Sequence, residues 1–272
     1  MDPLFILALL VLGACTGFAA GLLGIGGGMI MVPFLTMLFS WQGLPTELIV
    51  HAAIATSMAS ILFTSISSVR AHHKRGAVRW DIVARFAPGL VIGGLLAGGA
   101  IFSVLKTGWL ALVFALFVGY SAIQMLLDKK PTPTRQMPGA AGTSAVGAGI
   151  GFLSGLVGAG GGFVSVPFMT WCNVPLRNAV ATSAALGFPI ALANTAGYIW
   201  SGMQQAITQP GMLGYVYWPG LLALIVSSVL TAPFGAHTAH KLPVRSLKRI
   251  FACLLMLLAA YMLYKAVTTL GA

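Results

Sequence analysis

The stretch GLLGIGGGMIMVPF (residues 21–34) returns 134 residues later as GLVGAGGGFVSVPF (155–168). In each copy an apolar run is interrupted by three consecutive glycines and then carries a proline. The flanks extend the match: GFAAGLLGIGGGMIMVPFLT (17–36) and GFLSGLVGAGGGFVSVPFMT (151–170) agree at 12 of 20 positions. Further on, HAAIATS (51–57) is answered by NAVATS (178–183), and Pro88-Gly89-Leu90 by Pro219-Gly220-Leu221. The chain therefore reads as two copies of one unit, residues 1–127 and 143–272. They are joined by a cytoplasmic linker, 128–142, that contains DKKPTPTRQMPG (128–139), whose prolines and charges mark a loop.

Of the 272 residues, 58% are hydrophobic and 7% are charged. A soluble domain carries about 25% charged residues, and this chain has too few to cover a water-facing surface. The remaining solvent is a lipid bilayer. Apolar runs of about 20 residues are what a spanning helix needs, whereas barrel strands are about 10 residues long and alternating. The reading is an all-α polytopic membrane protein. Segments are expected at 4–23, 29–40, 47–69, 81–104 and 107–127 in the first half. In the second half they fall at 143–158, 163–172, 178–200, 216–236 and 247–269, with the glycine breaks at 24–28 and 158–162. Each half thus has four long helices and one short segment after a glycine-rich break. The opening residues, MDPLFILALLVLGA, lack a basic leader and run straight into the glycine motif, so they are expected to be a retained first helix.

Charge decides the orientation. The net charge of +11 comes from short basic tracts between apolar runs, the pattern of cytoplasmic loops, with no aromatic interleaving and no motif for nucleic acid. If the short segments do not complete a crossing, the halves are parallel and the fifteen Lys and Arg split nine against six. If they do, the halves are inverted and the split is thirteen against two, with only Lys106 and Lys265 opposite the rest. The second count fits the positive-inside rule far better. It places both termini on the periplasmic side of a bacterial-type inner membrane. Twelve residues of helix rise only about 18 Å, so each short segment has to share its crossing with the glycine stretch.

Three glycines in a row end a helix, and the next segment begins with N–H groups that lipid cannot satisfy. Such an N-terminus attracts anions. Two of them, entering from opposite faces, can converge on one anion near the midplane between repeats. Gly26, Gly27, Gly28 and Gly160, Gly161, Gly162 are therefore candidate substrate contacts. Gly17, Gly21 and Gly24, like Gly151, Gly155 and Gly158, have the small-xxx-small spacing of close helix packing. Thr56, Ser57, Thr182 and Ser183 recur at matching places and are candidate lining residues, and Asn194 is the most polar group well inside its segment. Hydroxyls that bond the preceding turn or a neighbouring helix are the competing reading.

The carboxylates are Asp2, Glu47, Asp81 and Asp128, each near a segment end, which speaks against a cation as substrate. A coupling proton would need a histidine, with His51 and His72 the gating or coupling candidates, or would be carried by the substrate itself; a sodium ion is the alternative coupling partner. His237 and His240 lie in a basic loop of the second half. The three cysteines (Cys15, Cys172, Cys253) lie far apart, no metal-ligand spacing is present, and no cofactor is expected. No catalytic triad or carboxylate pair suggests an enzyme. A homodimer remains open from sequence.

The chain resembles the TauE/SafE family, the sulfite exporter and toluenesulfonate uptake permease group. The resemblance rests on GFAAGLLGIGGGMIMVPFL (17–35), AIATS (53–57), HHKRGAVRWD (72–81), GFLSGLVGAGGGFVSVPFM (151–169) and PLRNAVATS (175–183). It implies an inner-membrane transporter of small sulfur-containing anions: sulfite, sulfoacetate or aryl sulfonates. It also implies seven or eight spanning helices, fewer than the ten segments counted above. Carried onto this sequence, it marks Gly26–Gly28, Thr56, Ser57, Gly160–Gly162, Thr182 and Ser183. A passive anion channel and a membrane scaffold or sensor are the alternatives. Phe34, Phe168, Phe188 and Tyr198 are available to line an aryl pocket.

Overall fold

The computed structural model describes residues 2–23, 27–127, 135–205, 207, 209–238 and 244–271, with the side chains of 23 and 244–248 left out of the description. Gly24, Gly26, His240 and residues 128–134 of the linker lie outside these residues. Ten α-helices are described. The first half holds α1 (Pro3–Leu23), α2 (Gly28–Trp41), α3 (Thr46–His73), α4 (Trp80–Leu95) and α5 (Thr107–Leu127). The second holds α6 (Ala140–Val157), α7 (Gly162–Trp171), α8 (Leu176–Gln204), α9 (Trp218–Thr238) and α10 (Val244–Leu270). α4 passes into a π-helical turn, Leu96–Ile101, and a two-stranded hairpin, β1 (Met212–Leu213) and β2 (Val216–Tyr217), precedes α9. Eight of the described helices are long and apolar enough to cross a membrane; α2 and α7 are short. The protein is an all-α polytopic membrane fold.

The glycine motifs build the same turn twice. Gly27 has φ 73° and ψ −11°, and Gly161 has φ 74° and ψ −5°, a left-handed conformation that a Cβ disfavours. The Gly27 carbonyl accepts the first N–H bonds of α2, from Ile30 and Met31. The Gly161 carbonyl does the same for α7, from Val164 and Ser165.

Contacts fix the direction of each helix. Phe5 at the start of α1 lies 6.4 Å, ring to ring, from Trp41 at the end of α2, so the break turns the chain back toward the end it came from. Asn178 at the start of α8 donates to the carbonyl of Ala77, just past α3. His51, near the start of α3, stacks on Tyr215, just past α8. α3 and α8 therefore run antiparallel at the centre. One end of the bundle carries the β-hairpin, the 42–45 and 103–106 turns and both ends of the described chain. The other, the linker end, carries 74–79, the start of α6 and the 172–175 turn.

Glycine lets the outer helices close on this pair. Gly13, Gly17 and Gly21 of α1 lie against the backbone of Leu224, Ser228 and Ala232 in α9. In the other half Gly147 and Gly151 of α6 lie against Phe86 and Leu90 in α4, while Gly89 and Gly93 of α4 lie against Ser144 and Ala148. In both pairs the chains run parallel and backbone meets backbone, the small-residue packing that membrane helices use in place of a hydrophobic driving force.

Two expectations change. α6 begins at Ala140, three residues inside the expected linker, because nothing in Ala140-Ala141-Gly142 stops a helix that Gly139 leads into. Pro88 and Pro219 are not equivalent. Pro219 sits in the first turn of α9, where its missing N–H costs nothing, and Pro88 sits inside α4. The packing register aligns Trp80 with Trp218 instead, since Phe86 and Leu90 play the part of Leu224 and Ser228.

The α4–α6 seam provides a test of this packing. Gly151→Ala drives a Cβ into the Leu90 carbonyl, whereas Gly149→Ala meets open space. The first should lower thermal stability in detergent by about 1–3 kcal/mol, and the second should leave the melting temperature unchanged.

Candidate functional site

The two breaks meet. A Cβ on Gly28 would collide with the carbonyl oxygen of Gly158, the residue that ends α6 in a left-handed turn. The Ser57 hydroxyl, from α3, donates to that same carbonyl at 3.3 Å. The N–H groups of Gly28 and Met29, and of Gly162 and Phe163, stand ahead of the first intrahelical bond of their helices. Gly28 and Ser57 thus meet at the Gly158 carbonyl, while Gly27 lies against Thr16 of α1 and Gly161 against Ile190 of α8, which crosses α3 where Gly187 faces Ser65. Gly26 lies outside the described residues.

Beside the crossing is a small pocket lined by Ala20, Ile61, Thr64, Ser65, Ser68, Gly160, Ser183, Ala184 and Gly187. Its interior, about 10 Å³, is near the minimum for one water. Gly160 and Ser183 were marked by the sequence; Thr64, Ser65 and Ser68 were missed. Thr64 and Ser68 belong to a stripe of buried polar groups on α3, namely Ser57, Ser60, Thr64, Ser68 and His72, with Ser65 beside it. That stripe keeps one helix face in an otherwise apolar span, and its spacing near 3.6 was the available signal. The Thr64 hydroxyl lies 2.8 Å from Ser228 Oγ, Ser65 donates to the Leu62 carbonyl at 3.0 Å, and Ser165 donates to Ser183 Oγ at 2.9 Å. Ser68 is 2% exposed and its oxygen has no hydrogen-bond partner among the described residues.

Thr56 and Thr182 do a structural job. Thr56 Oγ1 accepts the N–H of Tyr217, which leads into α9, at 3.0 Å. Thr182 Oγ1 accepts the N–H of Arg79, which leads into α4, at 3.0 Å. Each repeat thereby ties down the start of a helix in the other half. Asn194 is fully buried. Its amide donates to the Ile190 carbonyl at 2.9 Å and, more weakly, to the Gly151 carbonyl at 3.4 Å, while its oxygen, against Gly155, has no partner.

The two histidines sit at opposite ends. His72 Nε2 lies 3.3 Å from the Gly21 carbonyl at the end of α1. His51 is held at the hairpin end. Its Nε2 lies 3.1 and 3.0 Å from the carbonyls of Phe102 and Leu105, and its Nδ1 lies 3.1 Å from the Glu47 carbonyl and 3.2 Å from Thr107 Oγ1. Its ring stacks on Tyr215 and meets the edge of Phe102, which in turn packs 4.2 Å from Tyr198. This cluster closes the hairpin end above the crossing. Phe34, Phe168, Phe188 and Tyr198 are all absent from the pocket lining.

The threonine ties give the second prediction. Thr56→Val and Thr182→Val each strand a backbone donor, so each should cost about 1–3 kcal/mol of stability. Thr56→Ser and Thr182→Ser should restore most of it, read as apparent melting temperature in detergent.

The comparisons with known proteins agree with this architecture. The chain is 36% identical over 262 residues to a protein of Haemophilus influenzae described as a probable membrane transporter protein, covering 96% of this chain and 99% of that one. It is 27% identical to a similarly described protein of Methanocaldococcus jannaschii, over 94% of each chain. It is 29% identical to the probable membrane transporter protein YdhB of Bacillus subtilis, over 88% of this chain and 91% of the other. No solved structure matches. The profile of the sulfite exporter TauE/SafE family matches residues 9–262, nearly the whole length, and the chain belongs to that family.

Proposed function

We propose that the protein is a secondary transporter of a small sulfur oxyanion, sulfite or a short organosulfonate, across a bacterial-type inner membrane. The halves are inverted repeats, and alternating access exposes a site between them to each side in turn. The observation that carries this reading is the meeting of the two glycine breaks, Gly28 against the Gly158 carbonyl, beside a hydroxyl-lined pocket. Helix N-termini supply partial positive charge and free donors without a charged side chain, which suits an anion in a low-dielectric site.

Three further features support the reading. α3 and α8, equivalent in sequence, run antiparallel, as inverted repeats require. Among the described basic residues, Arg70, Lys74, Arg75, Arg79, Arg135 and Arg177 lie toward the linker end, while Lys106 and Lys265 lie toward the hairpin end. The linker end is then cytoplasmic. The pocket's lining of hydroxyls and small side chains suits a polar oxyanion better than an aryl group. Its closure to about one water favours a transporter over an open channel. A coupling proton or sodium ion belongs to the same reading.

Counterflow in proteoliposomes tests it. Vesicles preloaded with unlabelled sulfite should accumulate external [35S]sulfite, saturably and in competition with thiosulfate but not with acetate. Uptake that never saturates would indicate a channel. No uptake of any sulfur anion would overturn the transporter reading.

A further inference from the structure

Aligning Thr56 with Thr182 sets Ser57 on Ser183, Ser68 on Asn194 and His72 on Tyr198. The bonding follows the alignment. His72 Nε2 faces the Gly21 carbonyl, and the Tyr198 hydroxyl donates to the carbonyl of Gly155, the glycine that matches Gly21 in the repeated motif. At the position between, each half buries a polar oxygen with no partner, Ser68 Oγ in one and Asn194 Oδ1 in the other. A buried polar group left unpaired costs about 1–3 kcal/mol, and here the cost recurs at equivalent places, one on either side of the paired breaks. The two differ in their surroundings. Asn194 is packed between Gly94 and Gly155, under the aromatic cluster of the hairpin end. Ser68 opens into the pocket, next to Ser65, Ser183 and the backbone of Gly160, just before α7 begins.

We propose that Ser68 is a direct ligand of the transported anion, donating its hydroxyl hydrogen to an anion oxygen in the pocket it shares with Ser65, Ser183 and Gly160. This rests on the transporter reading above and names the side chain on which binding turns. A serine hydroxyl is a rotor with one hydrogen to give, and at this position no acceptor among the described residues takes it. An oxyanion supplies the acceptor, and the N-terminal end of α7 supplies a field of the right sign. The pocket is too narrow for the anion in this conformation, so binding requires α3 and α8 to part. That couples the ligand to the same helix pair whose two ends open in turn. Sequence equivalence gives Asn194 the matching position on the path toward the hairpin end.

The test is sulfite binding to the full chain in nanodiscs, by isothermal titration, for the wild type, Ser68→Ala and Ser60→Ala. Ser60 is equally buried and unpartnered but does not line the pocket, so it controls for loss of any buried hydroxyl. A bond to an anion predicts at least a roughly tenfold rise in Kd for Ser68→Ala, with a melting temperature in the absence of sulfite no lower than that of the wild type because the lost hydroxyl was unpaired, and wild-type affinity for Ser60→Ala. If Ser68→Ala does not fold, Ser68→Cys, close in shape to serine but with a much weaker donor, serves in its place with the same expectation. Wild-type affinity in the Ser68 variants would overturn the assignment and leave the transporter reading standing. If the wild type binds none of sulfite, thiosulfate and sulfoacetate, the assignment and the reading fall together.

Discussion

Everything in this molecule depends on two stretches of backbone touching where side chains would normally keep them apart. Gly28 lies against the carbonyl of Gly158, and only hydrogen on Gly28 permits it. In lipid an interrupted helix is expensive, because each exposed N–H and C=O has no water to bond. The chain tolerates two interruptions because each is buried in the other. Ser57 bonds the carbonyl that ends α6, left-handed glycines turn the chain at residues 27 and 161, and both new helices start within the protein interior. Replacing either turn with an ordinary residue would remove the reason for α2 and α7 to begin where they do.

The reciprocity runs through the whole bundle. The seam of α1 with α9 is answered by that of α6 with α4, and each threonine of the repeated ATS holds a helix start belonging to the other half. The copies are not identical. α2 has 14 residues and α7 has 10, and Thr56 lies 11 residues past Pro45 where Thr182 lies 7 past Pro175. The first hairpin is therefore one turn longer in both arms. The extra length falls in the first turns of α3, around Glu47, whose carbonyl is one of the groups facing His51 in the cluster that closes the hairpin end. The hairpin end is closed by this cluster, and the hydroxyl pocket lies toward the linker end of α3.

Much of this was legible in the sequence, for stated reasons. The doubled glycine motif, the ten segments and the membrane setting were readable because glycine in a left-handed turn and apolar length are local requirements. The job of Thr56 and Thr182 was not, since the N–H groups they accept, on Tyr217 and Arg79, are more than 100 residues away. Ser68 was overlooked because serine is ordinary in membrane helices; what sets it apart is an unpartnered hydroxyl on the wall of the pocket, a property of the packed molecule. Pro88 and Pro219 misled because a Pro-Gly-Leu triplet is short enough to recur without structural equivalence, and helix packing, not local identity, sets the register.

The most direct measurement is a cryo-electron microscopy map of the protein in nanodiscs with saturating sulfite. The account predicts a compact peak between Ser68, Ser183 and the backbone of Gly160, within hydrogen-bond distance of Ser68 Oγ, with the two glycine breaks still in contact. A peak elsewhere, or breaks that lie apart in the bound state, would contradict it.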